Sequence, residues 1–225
     1  GIEGWRGAGH AKAGVAAQDI VADHANARLS ASVRLDPGPR LRFGTLTVTG
    51  QDRMKTRRIL KIAGLPEGTV YSPEELDLAA ERLRRTGVFR SVVLTEAETI
   101  RAPDLLDIGA TVIEEKPRRY SFGAEIASFE GLNLSGYWLH RNLLGGAERL
   151  RLDGAVENIG AKEGGVDYRL GVTIDRPATL TPDTTLTFAT AIGHVDDVDD
   201  QYDEFDISIG FSHIFSRELS GRIAF

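Results

Sequence analysis

The chain has 225 residues, no cysteine, and a net charge of −6 from 27 basic and 33 acidic residues. The lack of cysteine excludes disulfides, thiolate metal sites and a cysteine nucleophile, and the acidic balance argues against a nucleic-acid-binding protein. No window approaches the roughly 18 consecutive apolar residues of a membrane helix, whereas the alternating strands of a membrane barrel would not show in average hydropathy. Because the chain opens with Gly1 rather than methionine, we expect a piece of a longer protein.

A degenerate internal repeat marks the first 117 residues. Four residue pairs share an offset of 78 positions: Gly9 and Gly87, Val15 and Val93, Leu35 and Ile113, Pro39 and Pro117. An aromatic-glycine step follows each copy, at Phe43-Gly44 and Phe122-Gly123, with one residue inserted. These ordered matches predict tandem modules, of which residues 1–40 supply only the C-terminal part of the first.

Residues 41–117 contain the complete copy of the repeat. Ser72, Pro73 and Glu75 have the spacing of a capping box with proline at the first helical position. The pattern predicts five elements: a strand at 42–49, a helix at 54–63, a helix from 73 to Gly87, and strands at 91–97 and 105–114. This order predicts an α+β module with both helices on one face of a three-stranded sheet.

Residues 118–225 alternate between apolar and polar side chains in long runs. Tyr120, Phe122, Ala124 and Ile126 share one face of the first run, and comparable runs predict six strands, with a seventh starting near Leu219. Strands of about nine to eleven residues fit a transmembrane barrel, although a soluble antiparallel sandwich also alternates. The turns at 141–146, 176–184 and 216–217 should lie on the module side, and those at 130–131, 158–165 and 195–203 on the opposite side.

Several segments resemble a known family of outer-membrane assembly proteins. Pro39 to Gly50 and Thr86 to Phe89 resemble a POTRA domain, while Phe122 to Leu132, Trp138 to Glu148 and the turn Asp175-Arg176-Pro177 resemble the first strands of the family's barrel. Among the branches, the chain looks most like the TamA-type translocation and assembly module proteins, with the related BamA type as the alternative. The resemblance implies α+β POTRA modules followed by an antiparallel β-barrel of sixteen strands. It divides the chain into residues 1–40, the C-terminal part of a preceding POTRA domain; 41–117, a POTRA domain; and 118–225, the first barrel strands.

The resemblance also implies a function, a place and partners. The function is non-enzymatic, to help β-barrel and autotransporter clients fold, insert or cross the outer membrane, without a cofactor. The implied partners are unfolded outer-membrane clients, a TamB-like inner-membrane partner that spans the periplasm, and outer-membrane lipids. The barrel would lie in the bacterial outer membrane and the POTRA domains in the periplasm. Alternatives are a BamA-type general insertase, an outer-membrane barrel enzyme and a soluble β-sandwich binding protein.

Two strand edges are candidate client-binding sites, because an open edge exposes unpaired backbone groups to which a client strand can be added. The first is the gate strand, where small residues weaken sheet packing: Tyr120, Phe122, Gly123, Ala124, Ile126, Ala127 and Ser128. The second is a POTRA edge: Ser91, Val92, Val93, Leu94 and Thr95.

No motif predicts a catalytic or metal site. The histidines are scattered without ligand spacing: His10, His24, His140, His194 and His213. The acidic stretch 195–204 suggests a divalent-ion site. It lacks the spaced carboxylates and the glycine of an EF-hand loop, so we interpret it as a solvated loop. No GxSxG or phosphate-binding glycine loop is present.

Overall fold

The computed structural model describes residues 1–23 and 28–225. The helices are α1 (Ile2–Gly7), α2 (Thr56–Ala63) and α3 (Pro73–Arg85). The strands are β1 (Gly14–Asp23), β2 (Arg28–Asp36), β3 (Arg42–Thr49), β4 (Phe89–Glu96), β5 (Leu105–Glu114), β6 (Arg118–Ala127), β7 (Gly131–His140), β8 (Arg149–Ile159), β9 (Asp167–Arg176), β10 (Thr184–Asp196), β11 (Gln201–Ile214) and β12 (Ser220–Ala224). They form sheets of two, three and seven strands.

The predicted α+β module is confirmed, with small differences at its element ends. Its sheet has the order β3-β5-β4, with β3 parallel and β4 antiparallel to the central β5. Helix α2 begins at Thr56 rather than at Met54 because the amides of residues 52–54 all donate to the Glu114 carboxylate, which holds this segment as a turn on β5. The predicted capping box at α3 is wrong, since the Ser72 side chain makes no capping hydrogen bond.

The core of this module lies between its sheet and its two helices. Strand β4 begins at Phe89, earlier than predicted, because Phe89 is itself buried and pairs with Glu114 beside a bulge. Residues of β3, β5 and both helices fill the layer between them: Phe43, Leu46, Ile59, Ile62, Ala79, Ala80, Leu83, Leu106, Ile108, Ala110 and Val112. Burial of this many apolar side chains is the main stabilising contribution in the module.

Within residues 1–40, helix α1 is followed by the antiparallel strands β1 and β2. The complete module ends in the same order, with helix α3 followed by the antiparallel strands β4 and β5. They are joined to that module by buried contacts. Arg6 donates to the Tyr71 hydroxyl at 2.6 Å and to the Glu96 carboxylate at 2.5 Å, and Ala11 is buried in the module's core. That they are the tail of a preceding POTRA domain stays a prediction, and His24 lies outside the described residues.

The seven-stranded sheet runs in sequence order from β6 to β12 with every neighbouring pair antiparallel. Strands β10 and β11 have 13 and 14 residues, longer than predicted. In the described part of the chain these strands form one sheet, whereas a β-sandwich would divide them between two packed sheets. The sheet does not close into a barrel within this chain, so the barrel prediction is confirmed only in part.

The two faces of the large sheet differ as the alternation predicts. One face carries exposed apolar side chains on several strands, among them Phe122 on β6, Leu170 on β9 and Ile207 on β11. The other carries ion pairs across strands, such as Arg149 with Asp175 on β9. Among the described residues, none of the helices is long and apolar enough to cross a membrane.

Candidate strand-binding edges and the domain contact

Strand β6 forms one edge of the seven-stranded sheet. It pairs with β7 in an unbroken register from Arg118 opposite His140 to Ala127 opposite Gly131. Six of the seven predicted gate residues lie in this strand, while Ser128 lies in the turn after it, so its assignment to the strand is wrong. Within the part of this chain that the structure describes, β6 has a neighbour only on the β7 side, and both an open edge and client binding there stay predictions.

The exposed apolar face of β6 includes an aromatic side chain that contacts the neighbouring strand. The side chain of Phe122 is 86% exposed, and it lies over Gly136, where an added Cβ would come within 3.2 Å of its ring. Gly123 lies opposite Ser135 on the other face. The Phe122 ring covers the glycine on the neighbouring strand, a cross-strand contact that supports the pairing, so the predicted weak packing at β6 stays a prediction.

Strand β4 forms an edge of the three-stranded sheet, as the second candidate site requires. The five predicted residues alternate across its faces, with Val92 buried and Leu94 partly buried in the core, whereas Val93 and Thr95 are exposed. Arg84 on α3 donates to the carbonyl oxygen of Val92 at 3.0 Å. Arg84 thus satisfies one backbone acceptor of this strand.

A third feature, which sequence reasoning missed, is the contact between the helices of the module and the turns of the large sheet. Arg58 is buried, and its guanidinium donates to Gly146 in the turn after β7 at 3.1 and 3.2 Å and to Pro177 in the turn after β9 at 2.7 Å. Burial lowers the pKa of Arg58, and the nearby Glu148 carboxylate opposes that effect. One side chain thereby connects α2 to two turns, which confirms that these turns lie on the module side.

A second ion cluster connects α3 to the same turn after β9. The Asp183 carboxylate accepts from the Arg82 guanidinium at 2.5 to 3.1 Å and from Arg85 at 2.7 Å. Burial alone would raise the pKa of Asp183, but the hydrogen bonds and charges of the two arginines outweigh it and lower the pKa. The module and the large sheet are therefore joined by charge-assisted hydrogen bonds in a largely buried contact.

A sequence signal for this contact was available at one of these positions. Arg58 lies four residues before Ile62 and so shares the apolar face of α2, where a charged side chain is unexpected. Asp183 gives no such signal, because an aspartate in a turn is common. Its role depends on the approach of α3, which only the fold reveals.

The polar face of the large sheet is lined by cross-strand ion pairs. Asp175 accepts from Arg149 at 2.6 Å and from the Thr187 hydroxyl at 2.7 Å, which connects β8, β9 and β10. Arg169 on β9 pairs with Glu204 and Asp206 on β11. These pairs suit a hydrated surface, since charged groups in an apolar environment would need complete pairing.

Three of the described histidines lie on strands of the large sheet, His140 on β7, His194 on β10 and His213 on β11, and His10 follows α1. His194 pairs with Asp203 at 2.7 Å, and within residues 1–23 and 28–225 no three histidine or acidic side chains gather closely enough to hold a metal ion. The acidic stretch 195–204 is mostly strand rather than loop, because β10 extends to Asp196 and β11 begins at Gln201. Only residues 197–200 form the connection.

Comparisons with known proteins agree with this architecture. Residues 41–113 match the POTRA family model, described as a surface antigen variable number repeat. No curated protein matches the chain. The fold is similar to BamA from Haemophilus ducreyi lacking POTRA domains 1–3, with a TM-score of 0.76, 18% identity, and coverage of 99% of this chain and 41% of that one.

Two further solved structures share the fold at lower similarity. CdiB from Escherichia coli has a TM-score of 0.61 and 16% identity, covering 94% of this chain and 39% of that one. CdiB from Acinetobacter baumannii has a TM-score of 0.60 and 10% identity, covering 93% and 39%. The chain thus spans about two fifths of the length of these structures. Residues 41–113 match the POTRA family, and we call them the POTRA domain below; the sheet that follows has the fold of the matched part of these structures.

Proposed function

We propose that this chain belongs to an outer-membrane assembly or secretion protein that helps β-barrel clients fold, insert or cross the membrane without catalysing a chemical step. The observation that carries the proposal is the attachment of a domain that matches the POTRA family to the turns of a two-faced antiparallel sheet that begins with β6. This arrangement places the two candidate strands for client binding, β6 and β4, in one connected body. The similar folds of BamA and CdiB support the proposal.

The two faces of the large sheet support a place in a membrane. Its apolar face exposes aromatic and aliphatic side chains that water would not stabilise, such as Phe122, Phe205 and Ile209. Its opposite face carries ion pairs that suit a hydrated lumen. We therefore assign the sheet to the outer membrane and the POTRA domain, which contacts the turns, to the periplasm.

Strand addition is the mechanism that the edges support. An unpaired strand edge is unfavourable in hydrocarbon because its N–H and C=O groups lack partners. A client strand that pairs with β6 removes this penalty, so association can drive insertion without ATP or a covalent step. The edge of β4 offers the same backbone groups in the periplasm, where an unfolded client would arrive first.

The first experiment tests the location, using the protein that contains this chain. Cells are fractionated, and the mobility of the band is compared with and without heating before electrophoresis. We expect a membrane-bound, detergent-requiring and heat-modifiable protein, since folded barrels resist detergent until heated. A fully soluble protein would contradict the barrel and the proposed function together.

The second experiment tests the gate strand by cysteine crosslinking, for which the lack of native cysteine provides a clean background. Ala127→Cys on β6 should crosslink to cysteines in client strands, because this edge would pair with them. Ala189→Cys is the matched control, since β10 is paired on both sides with β9 and β11. Equal crosslinking at the two positions would contradict a gate at β6.

A corresponding experiment tests the POTRA edge. Val93→Cys on the exposed face of β4 should crosslink to unfolded clients in the periplasm. Thr47→Cys on β3, at the opposite edge of the same sheet, is the control that shows whether any exposed POTRA strand is sufficient for crosslinking to clients. Crosslinking at Thr47→Cys alone would exclude the β4 edge.

A narrower TamA-type role rests on the sequence motifs, with a BamA-type general insertase as the second candidate. The TamA-type role requires a TamB-like inner-membrane partner and an autotransporter-rich client set. Affinity purification from crosslinked membranes distinguishes the two roles. Recovery of a large periplasm-spanning partner favours the TamA type, and its absence alongside general barrel clients favours the BamA type.

A further inference from the structure

We propose that α2 and the two turns it contacts form a binding surface for anionic phospholipid headgroups, and we call this surface the α2 ledge. It consists of three basic residues, Lys55, Arg57 and Lys61, and three exposed leucines, Leu60, Leu144 and Leu180. The inference rests on the proposed function, which places the large sheet in the outer membrane. It adds a lipid contact outside the sheet, on the POTRA domain and the turns.

Contacts across the turns bring the basic and apolar residues together. The Lys61 ammonium donates to the carbonyl oxygen of Thr179 at 3.2 Å, directly beside Leu180. The Lys55 amide donates to Gly145 at 2.9 Å, and the Lys55 side chain lies against that glycine, directly beside Leu144. Leu144 and Leu180 are therefore each adjacent in sequence to a residue that contacts Lys55 or Lys61.

The leucines of the two turns are exposed although each turn is fixed by other contacts. The Leu180 side chain is 73% exposed and that of Leu144 is 65% exposed, whereas Ala178 and Ala147 in the same turns are buried. The alanines anchor the turns on the POTRA domain, so the leucines are held outward. An exposed leucine in a fixed turn is available to enter the interface of a bilayer.

The positive charge of the α2 ledge is not neutralised by the protein. Among the described residues, no carboxylate lies within ion-pair distance of Lys55, Arg57 or Lys61. The chain as a whole is acidic, with a net charge of −6. A local cationic surface on an acidic protein needs an anionic partner, and the phospholipid surface at the base of the membrane-embedded sheet is the nearest one.

The combination of charges and leucines favours a lipid surface over an unfolded polypeptide. Basic residues beside apolar side chains are the pattern of interfacial membrane contacts, in which the cations meet headgroup phosphates and the apolar groups enter the acyl boundary. The turns also continue directly from the strands whose apolar face would contact lipid. The α2 ledge is therefore continuous with the membrane-facing surface.

The experiment uses the protein that contains this chain, inserted into vesicles of phosphatidylcholine alone or with about one third phosphatidylglycerol. A single cysteine from Leu180→Cys carries an environment-sensitive fluorophore, and brominated lipids measure its contact with the bilayer. We expect a blue-shifted, quenched label with anionic vesicles, and a shift that declines in high salt because exposed charges are screened. Arg57→Glu should weaken the contact roughly tenfold, since it changes two charges at the lipid surface.

A charge-matched control separates local from general electrostatics. Arg40→Glu makes the same charge change at an exposed position before β3, at the end of the POTRA domain that faces residues 1–40. It should leave the label unchanged. An equal loss from Arg40→Glu and Arg57→Glu would overturn the α2 ledge, because the effect would then be one of net charge.

The remaining outcomes distinguish this inference from the proposed function. If the protein is in the bilayer, shown by flotation and heat-modifiable mobility, but the label stays water-exposed, the α2 ledge is overturned and the assembly function stands. Equal quenching in neutral and anionic vesicles would likewise overturn the headgroup assignment. Failure to enter the bilayer would overturn the proposed membrane location and the inference with it.

Discussion

Asp183 is the most informative position in the contact between the POTRA domain and the large sheet. Asp183 lies in the turn after β9, and its carboxylate accepts hydrogen bonds from the guanidinium groups of both Arg82 and Arg85. Asp183→Ala removes the acceptor for both arginines while leaving the strands intact. The substitution therefore tests whether the POTRA domain is held in place by this cluster.

The magnitude follows from the burial of the groups. The Asp183 and Arg82 side chains are 16% and 11% exposed, and removing one partner of a buried pair typically costs about 3–5 kcal/mol. The lower end of this range applies because Arg85 is more exposed and because Arg82 keeps its hydrogen bonds to the carbonyl oxygens of Ala63 and Gly64. We expect a loss of about 3 kcal/mol, equivalent to a roughly 100-fold larger opening constant of the contact.

The assay is the labelling rate of a buried thiol. Ala178 is buried in the contact, and the chain has no native cysteine, so Ala178→Cys reacts with a thiol reagent only when the POTRA domain separates from the turn. When reclosing is faster than labelling, the rate is proportional to the opening constant. Asp183→Ala in this background should raise the rate by roughly two orders of magnitude.

Two controls define the result that would refute the reasoning. Arg217→Ala removes the exposed pair with Glu81 at 3.7 Å and should change the rate by at most about fivefold. A cysteine at Ala80, in the POTRA core, should label at an unchanged rate if Asp183→Ala separates the domains without unfolding the POTRA domain. If Asp183→Ala has no more effect than Arg217→Ala, the cluster does not hold the contact.

Three further predictions concern the same contact and the POTRA core. Arg58→Lys should raise the thiol-labelling rate roughly tenfold, because a lysine cannot donate to both turns at once; an unchanged rate would show that the two carbonyl contacts contribute nothing. Gly50→Ala should lower the unfolding midpoint in detergent, measured by circular dichroism, much more than Gly68→Ala: both glycines have positive φ, but only at Gly50 would a Cβ overlap the carbonyl oxygen of Val112. The lowered pKa of Asp183 means that its contribution is present above its unfolded pKa and declines as pH falls through the folded one. The labelling rate of Ala178→Cys, divided by that of an exposed cysteine to cancel the pH dependence of the thiolate fraction, should therefore be constant from about pH 8 to about pH 5 and rise below about pH 4. Asp183→Ala should remove that part of the acid response.

The helices and strands could be predicted from local sequence patterns because each of them has its own periodicity and its own start and stop residues. The α+β order of residues 41–114 and the six full strands of the large sheet follow from periodicity, glycine stops and proline positions. The ends shifted where a distant group intervened, as at α2, whose start is set by the Glu114 carboxylate on β5. A sequence pattern contains no information on such a contact until the strand and the turn are placed together.

The candidate edges were predictable in part and the domain contact was not. Alternation identified β6 and β4 as strands, and the order of elements made both of them edges. Arg58 and Asp183 are important because they join POTRA helices to sheet turns that lie 88 to 120 residues away in sequence. The contact is stabilised by charged side chains whose neighbours in sequence do not indicate that they will be paired across domains.

The connection between the two domains relates the contact to the proposed gate strand. Strand β5 ends at Glu114 and β6 begins at Arg118, so only residues 115–117 separate the last POTRA strand from β6. The linker is fixed by Arg141, which donates to the carbonyl oxygens of Lys116 and Pro117 at 2.9 and 2.8 Å. A rotation of the POTRA domain would therefore break its helices away from the later turns first and act directly on the start of β6. The contact at Asp183 and the pairing of β6 should for that reason be energetically coupled, and Asp183→Ala should raise client crosslinking at Ala127→Cys while leaving Ala189→Cys unchanged.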